Sequence, residues 1–372
     1  ALPISEDTVH DLFVANTHTP MLFFSSRGMV YKLKVWRLPL GTPQARGKAL
    51  INLLPLVDGE TISTVMPMPE DEATWGDLCV FFATSKGNVR RNKLSDFTNI
   101  RANGLIAMKL EEEGERLIAV RTGTVDQDVL LATRGGKCIR FQVDDIRIFS
   151  GRTSTGVRGI RLADGDEVIG MSMLNHVDAD ADERAAYLRQ ANAERRAAGE
   201  EASSDEAPDP DAEVSTNIAL SPERYEEMRR KEEFILAVSE RGFGKRTSSY
   251  EYRVTGRGGQ GIWNIEMNER NGPVVAAFPV TDDHQVMLVT DGGQMIRMPI
   301  HDVRIAGRKT QGVTLFRVAQ GERVVSVAWL TEEAEGGAAK PTGVAVAGYE
   351  DDRSVADDRV ELGGRRESVP AG

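Results

Sequence analysis

The stretch GRGGQGIWNIEM, residues 256–267, carries a G-x-G-x-x-G spacing. That spacing lets a backbone wrap a dinucleotide pyrophosphate when a strand leads in and a helix leads out. Here Ile262, Ile265 and Met267 follow the glycines with β-branched and apolar character. This reads as a strand, and a strand offers no helix N-terminus to hold a phosphate. The glycines belong to a different pattern, and that pattern is a repeat.

Five segments share an apolar strand, a Ser/Thr-x-x-Gly turn, and a second strand with a basic residue four places past the glycine: FFSSRGMVYK, FATSKGNVRR, LATRGGKCIR, LAVSERGFGKR and LVTDGGQMIR. Their turn glycines are Gly28, Gly87, Gly136, Gly242 and Gly293, separated by 59, 49, 106 and 51 residues. Each is a hairpin signal. A second glycine follows after 17 to 20 residues, at Gly47, Gly104, Gly156, Gly261 and Gly312, and leads into another alternating strand. Gly261 is thus the fourth copy of a loop found in every repeat. Four strands per roughly 50 residues, repeated, predict an all-β, propeller-like array in which each blade covers its neighbours. Residues 1–173 and 234–330 hold the blades, and EDTVHDLFVANTHTP (residues 6–20) resembles the closing strands of a further repeat. Six blades are therefore expected in an intact array.

The doubled interval, residues 174–233, contains the helix former DERAAYLRQANAERRAAGE and the acidic, proline-bearing EASSDEAPDPDAE. The expectation is a short exposed helix on a flexible excursion, with a disordered acidic tail over residues 331–372. These two segments hold eight basic and 17 acidic, and five and ten such residues, which leaves +3 of the chain's −11 for the blades. The distribution of cations then matters more than the total. Lys32, Arg91, Arg140, Arg246 and Arg297 stand four places past the turn glycines. Arg46, Lys48, Arg101, Arg152, Arg158, Arg257, Arg308 and Lys309 flank the second glycines. Equivalent loops of a closed array share one rim, where cations would form a discontinuous belt for phosphates of a bent duplex. Surface loops of any soluble protein also carry Lys and Arg, so the repeat alone leaves that reading open.

Other chemistry finds little footing. SERGFGKRT has Ser239 and Arg246 where a phosphate-binding loop needs glycine and a hydroxyl. The runs LEEEGE and PEDEA fall in turns. Cys79 and Cys138 lie in apolar strands as expected buried thiols, the five histidines are scattered, and no metal motif emerges. Trp36 and Trp263 read as packing residues, with no interleaving of aromatics and cations. No apolar run approaches the roughly 20 residues of a membrane span and no signal segment opens the chain, which points to the cytoplasm.

The strings LFVANTHTPMLFFSSRGMVYKLKVWRLP, ARGKALINLLPL, STGVRGIRL, GFGKRT and NERNGPVVAAF resemble the C-terminal domain of DNA gyrase A, over nearly all of residues 7–173 and 234–330. Topoisomerase IV, with a similar disc, and protein-interaction propellers are the alternatives. The resemblance implies a β-pinwheel with strands exchanged between blades, which binds and wraps double-stranded DNA, nucleoid-associated, in support of negative supercoiling by a type IIA topoisomerase. It implies as partners the N-terminal region of gyrase A, together with gyrase B. ATP, Mg²⁺ and strand cleavage would belong to those parts, with no cofactor, metal or catalytic residue here. The family's Q-R-R-G-G-K-G box is expected in a first blade preceding Ala1; RGGQG at Arg257–Gly261 is similar in letters but belongs to a later blade.

Overall fold

A computed structural model describes residues 15–41, 47–199, 218–331 and 344–346. Along the chain run β1 (Pro20–Ser25), β2 (Met29–Lys34), β3 (Ile62–Pro67), β4 (Cys79–Thr84), β5 (Asn88–Lys93), β6 (Leu105–Ile106) and β7 (Leu117–Gly123). Next come β8 (Gln127–Thr133), β9 (Lys137–Gln142), β10 (Val157–Arg158), β11 (Val168–Asn175), β12 (Phe234–Ser239), β13 (Phe243–Ser248) and β14 (Ile262–Trp263). The last are β15 (Val274–Val280), β16 (His284–Thr290), β17 (Met295–Pro299), β18 (Val313–Thr314), β19 (Val324–Thr331) and β20 (Val344–Val346). They form five four-stranded sheets, one for each repeat.

The repeat's punctuation has a physical cause in the hairpins. The Ser/Thr that opens each turn folds its hydroxyl back on the chain. Thr84 Oγ1 accepts from Asn88 N–H and Thr133 Oγ1 from Lys137 N–H, both at 3.2 Å. The glycine N–H closes the turn on the Ser/Thr carbonyl, as Gly87 does on Thr84 at 3.0 Å. The inner strands β3, β7, β11, β15 and β19 adjoin one another in sequence order. The faces of neighbouring sheets press together, so strands such as β1 are buried along their length and read as continuous apolar runs. Phe24, Phe82 and Phe97 interlock between the first two blades, the first pair edge-to-face at 5.8 Å. Small residues, Ala132, Ala237 and Ala277, meet between the third and fourth.

Four of the sheets are completed by a strand of the following repeat. β6 pairs with β2, β10 with β5, β14 with β9 and β18 with β13, each over two residues. This is the strand exchange of a pinwheel, and the second glycine makes it fit. Gly261 has φ +72, and a Cβ there would lie 2.3 Å from the Cys138 carbonyl oxygen on the outer strand it joins. Cys138 itself is buried, which pushes its thiol up to about 12. In the fifth sheet the fourth strand is β20, added to β19 at the inner edge.

Two expectations need correction. The insertion holds two helices, α1 (Ala181–Ala197) and α2 (Pro222–Lys231), and they are docked on the blades. Tyr187, Tyr225 and Met228 bury against Tyr250, which follows β13, with Tyr187 and Tyr250 rings 4.8 Å apart. Glu232 accepts from the Tyr187 hydroxyl, from Arg195 and from Ser248. The segment expected to be a disordered tail contributes β20, and Thr331 closes β19. The acidic run EASSDEAPDPDAE, Arg46, most of the N-terminal partial repeat and the rest of residues 332–372 lie outside the described residues.

The exchange site yields a controlled test. Gly165 also has positive φ (+77) but open space around its Cα. Gly165→Ala should lower unfolding stability by only about 1 kcal/mol, the conformational term, whereas Gly261→Ala should cost about 2–5 kcal/mol because backbone must move as well. Chemical denaturation midpoints of the two variants check this; equal shifts would show that the close approach carries no weight.

Candidate nucleic-acid interface

The third, fourth and fifth repeats each send a segment across the outer strand of the preceding blade before returning as the exchanged strand. Ile148 bridges Arg91 in parallel, Val254 bridges Arg140 and Ile305 bridges Arg246. The chain then turns through the second glycine and runs back antiparallel. These crossing segments occupy the edge opposite the inner strands, so they form the rim.

The cations at the crossing are of two kinds. Arg91, Arg140, Arg246 and Arg308, expected to face phosphates, are between 3% and 6% exposed. A chain crossing an outer strand leaves carbonyls without a ladder partner, and the guanidinium groups supply the donors. Arg91 points into the carbonyls of Val143 and Ile146 and pairs with Asp144. Arg140 donates to the Ser249 and Asn175 carbonyls at 2.8 and 2.9 Å and to buried Asp128 at 2.8 Å. Arg246 donates to the carbonyls of Val303 and His301 and pairs with Asp282. Arg308 donates to the Trp263 carbonyl at 2.8 Å, fixing β14. These four are internal staples, because burying a cation is tolerated only where hydrogen bonds and counter-charges replace water.

One place earlier in the outer strand, Arg90 and Lys245 are fully buried and grip the second-glycine loop itself. Arg90 donates to the carbonyls of Arg152, Ser154 and Ala107. Lys245 donates to those of Gly307, Arg308 and Thr310. Burial lowers Arg90 to about 10, which keeps it charged at neutral pH. Lys32 is half-buried on the Thr98 carbonyl and Glu72, and Arg152 is half-buried on the Asp96 carbonyl. Arg297, on β17, is exposed and donates to Gln285.

The second-glycine loops present Lys48, Arg101, Arg158, Arg257 and Lys309 as exposed cations, one in each of the five repeats. The loops of successive repeats are also hydrogen-bonded to one another. Lys109 N–H donates to Ser154 O at 3.3 Å, Gly258 N–H to Gly159 O at 2.6 Å, Arg161 N–H to Gly259 O at 2.8 Å and Glu266 N–H to Thr310 O at 3.0 Å. Arg257 reaches the Asp145 and Arg158 carbonyls at 2.9 and 3.1 Å. The loops expected to carry the belt are thus joined backbone to backbone from the second repeat to the fifth, a connected ribbon beneath separate cations.

Sequence reasoning missed Arg147, which is exposed and stacked 4.3 Å from the Phe149 ring, and exposed Arg161. A signal was available. Arg147-Ile148, Arg253-Val254 and Arg304-Ile305 each precede a Gly-Arg pair, a second periodic Arg less conspicuous than the glycines. Trp36 and Trp263, expected to pack inside, are 55% and 41% exposed. Arg37 lies over the Trp36 ring and the Lys137 ammonium over the Trp263 ring at 3.7 Å, so aromatics and cations do interleave. Among the described residues no group of acidic, His or Cys side chains could hold a metal, and no helix is long and apolar enough to cross a membrane.

The comparisons with known proteins agree with this architecture. A family described as "DNA gyrase C-terminal domain, beta-propeller" matches residues 20–67, 80–122, 127–175, 233–281 and 284–328, one match for each blade. The DNA gyrase A protein of Granulibacter bethesdensis is 56% identical over 330 residues, 87% of this chain and 35% of that protein. That of Rickettsia bellii is 46% identical over 332 residues, 89% of this chain and 36% of that protein. The chain thus spans about a third of the length of the curated relatives it matches. A solved DNA gyrase A C-terminal domain superposes with a TM-score of 0.59 at 20% identity, covering 84% of this chain and 83% of that one. A solved topoisomerase IV C-terminal domain gives 0.64 at 18% identity, covering 85% and 80%. These two likenesses concern the fold.

The division of cations predicts opposite phenotypes. Arg140→Ala removes the cation that pairs with buried Asp128 and donates to two carbonyls, and should cost about 3–5 kcal/mol of unfolding free energy, while Arg158→Ala should stay within about 0.5 kcal/mol. Thermal and denaturant unfolding of both variants tests the assignment, and an Arg140→Ala variant as stable as the parent would contradict it.

Proposed function

Because the chain belongs to the DNA gyrase C-terminal domain family, we propose that its rim binds double-stranded DNA without reading bases and bends it along the arc of the blades. The observation that carries this reading is the connected ribbon of second-glycine loops, each presenting a cation to solvent. A duplex is stiff, and bending 20–30 base pairs costs on the order of 1–6 kcal/mol. Cations spaced along an arc offset that cost by neutralising phosphates and releasing counterions wherever the backbone touches. Prior fixation of the loops matters, since a cation on ordered backbone loses little further freedom on binding.

In the proposed whole, this chain acts as the wrapping module of gyrase A. It presents a DNA segment to the N-terminal region of that polypeptide and to gyrase B, where strand cleavage and ATP hydrolysis with Mg²⁺ take place, and negative supercoils result. The chain contributes geometry and charge to that cycle, with no cofactor of its own, in the cytoplasm beside the nucleoid. Topoisomerase IV is the weaker alternative, because the relatives at 56% and 46% identity are gyrase proteins.

Salt titration tests the reading. If about six phosphates are neutralised, log K should fall against log[salt] with a slope of roughly −5, and replacing Arg101, Arg158, Arg257 and Lys309 by Gln should reduce it by about 3–4. Replacing Arg189 and Arg196 of α1 by Gln should leave the slope unchanged. Binding that ignores salt, or a slope lost equally with the α1 variant, would overturn the proposal.

A further inference from the structure

Among the residues of the exchanged strands, the second position is exposed in every blade that has one: Ile106, Arg158, Trp263 and Thr314. The chemistry therefore changes around the rim, and Trp263 is its largest apolar side chain. At 41% exposed, Trp263 leaves a large part of an aromatic surface in water at a rigidly held position. Trp263 is held on three sides. Its backbone pairs with Lys137 across the β9–β14 ladder, its carbonyl accepts from buried Arg308 at 2.8 Å, and the Lys137 ammonium covers one ring face at 3.7 Å. Its neighbours Ile262 and Asn264 are buried, which locks the strand in register and leaves the ring to face outward. Exposed Arg257 and Arg158 lie on the loops tied together just before it.

We infer that Trp263 and Lys137 form a composite DNA contact, in which the ring packs against the deoxyribose edge of a bound duplex while the Lys137 ammonium meets the adjoining phosphate. The inference rests on the DNA-binding reading and adds to it an apolar station among cationic ones. A sugar–phosphate backbone alternates apolar and anionic surface at short spacing, and a Trp face capped by an ammonium offers the complement of both. The contact reads no base, since every nucleotide presents the same sugar. Ordering costs little, because the ring is already fixed in the free protein.

The two halves of the contact leave different thermodynamic traces. Apolar burial releases no counterions, so Trp263→Ala should weaken duplex binding by about tenfold at every salt concentration, shifting the line of log K against log[salt] downward with unchanged slope. Lys137→Gln should instead reduce the slope by about one. In a Trp36→Phe background, duplex should protect the remaining exposed Trp fluorescence from acrylamide, and the protection should vanish in Trp36→Phe/Trp263→Phe. A Trp263→Ala line that superimposes on the parent, or acrylamide quenching unaltered by duplex, would overturn the inference while leaving salt-dependent binding intact. Loss of the salt dependence in the parent protein would instead strike the DNA-binding reading itself. Trp263-dependent binding of single strands tighter than duplex would show that the ring stacks on bases, contrary to the contact proposed.

Discussion

Every blade but the fifth depends on gripping a piece of chain that belongs to its successor. A two-residue strand exchanges only a few ladder hydrogen bonds, too few to hold a crossing segment alone. The outer strand supplies the rest with cations that point into the crossing chain's carbonyls, Arg91, Arg140 and Arg246 at one position and Arg90 and Lys245 at the one before. A glycine lets the returning backbone approach closely enough for the ladder to form. Remove the staples and the rim has neither position nor rigidity; keep them and each blade fixes the next.

This grip sorts the basic residues into two populations with separate duties. Arg90, Arg91, Arg140, Lys245 and Arg246 on the outer strands face inward and satisfy carbonyls, so their charge serves the architecture. Lys48, Arg101, Arg158, Arg257 and Lys309 on the second-glycine loops are exposed to solvent. The net charge of −11 conceals both, because the insertion and the C-terminal segment carry the whole excess of acid over base. The loops are also joined to one another through Gly258 and Gly159, through Arg161 and Gly259, and through Glu266 and Thr310. A partner that lies along them meets one continuous surface in place of separate fingers.

The blades were legible because glycine spacing and apolar strands are local signals, and Gly28, Gly87, Gly136, Gly242 and Gly293 each mark a hairpin that forms. Strand exchange was not legible from periodicity, since Val157–Arg158 or Ile262–Trp263 is too short to show alternation, and only the family resemblance implied it. The inward Arg residues mislead for a related reason. Position four past a turn glycine looks like surface until a neighbouring repeat covers it, and the cover is a tertiary event. α2 was not legible because its buried face consists of Tyr225 and Met228 alone among charged residues, with no apolar stripe to read. Trp263 reads as a core residue on its type, whereas its place at the second position of an exchanged strand puts it outside.

The central claim is that the exchanged strands and their loops are the path of DNA, and site-specific photo-crosslinking addresses it most directly. A photoreactive residue replacing Ile106, Arg158 or Thr314, one at a time, should capture a labelled duplex at low salt from all three blades. The same residue replacing exposed Gln190 on α1 should capture little. Capture from Gln190 at the level of the rim positions, or none from the rim, would contradict the account.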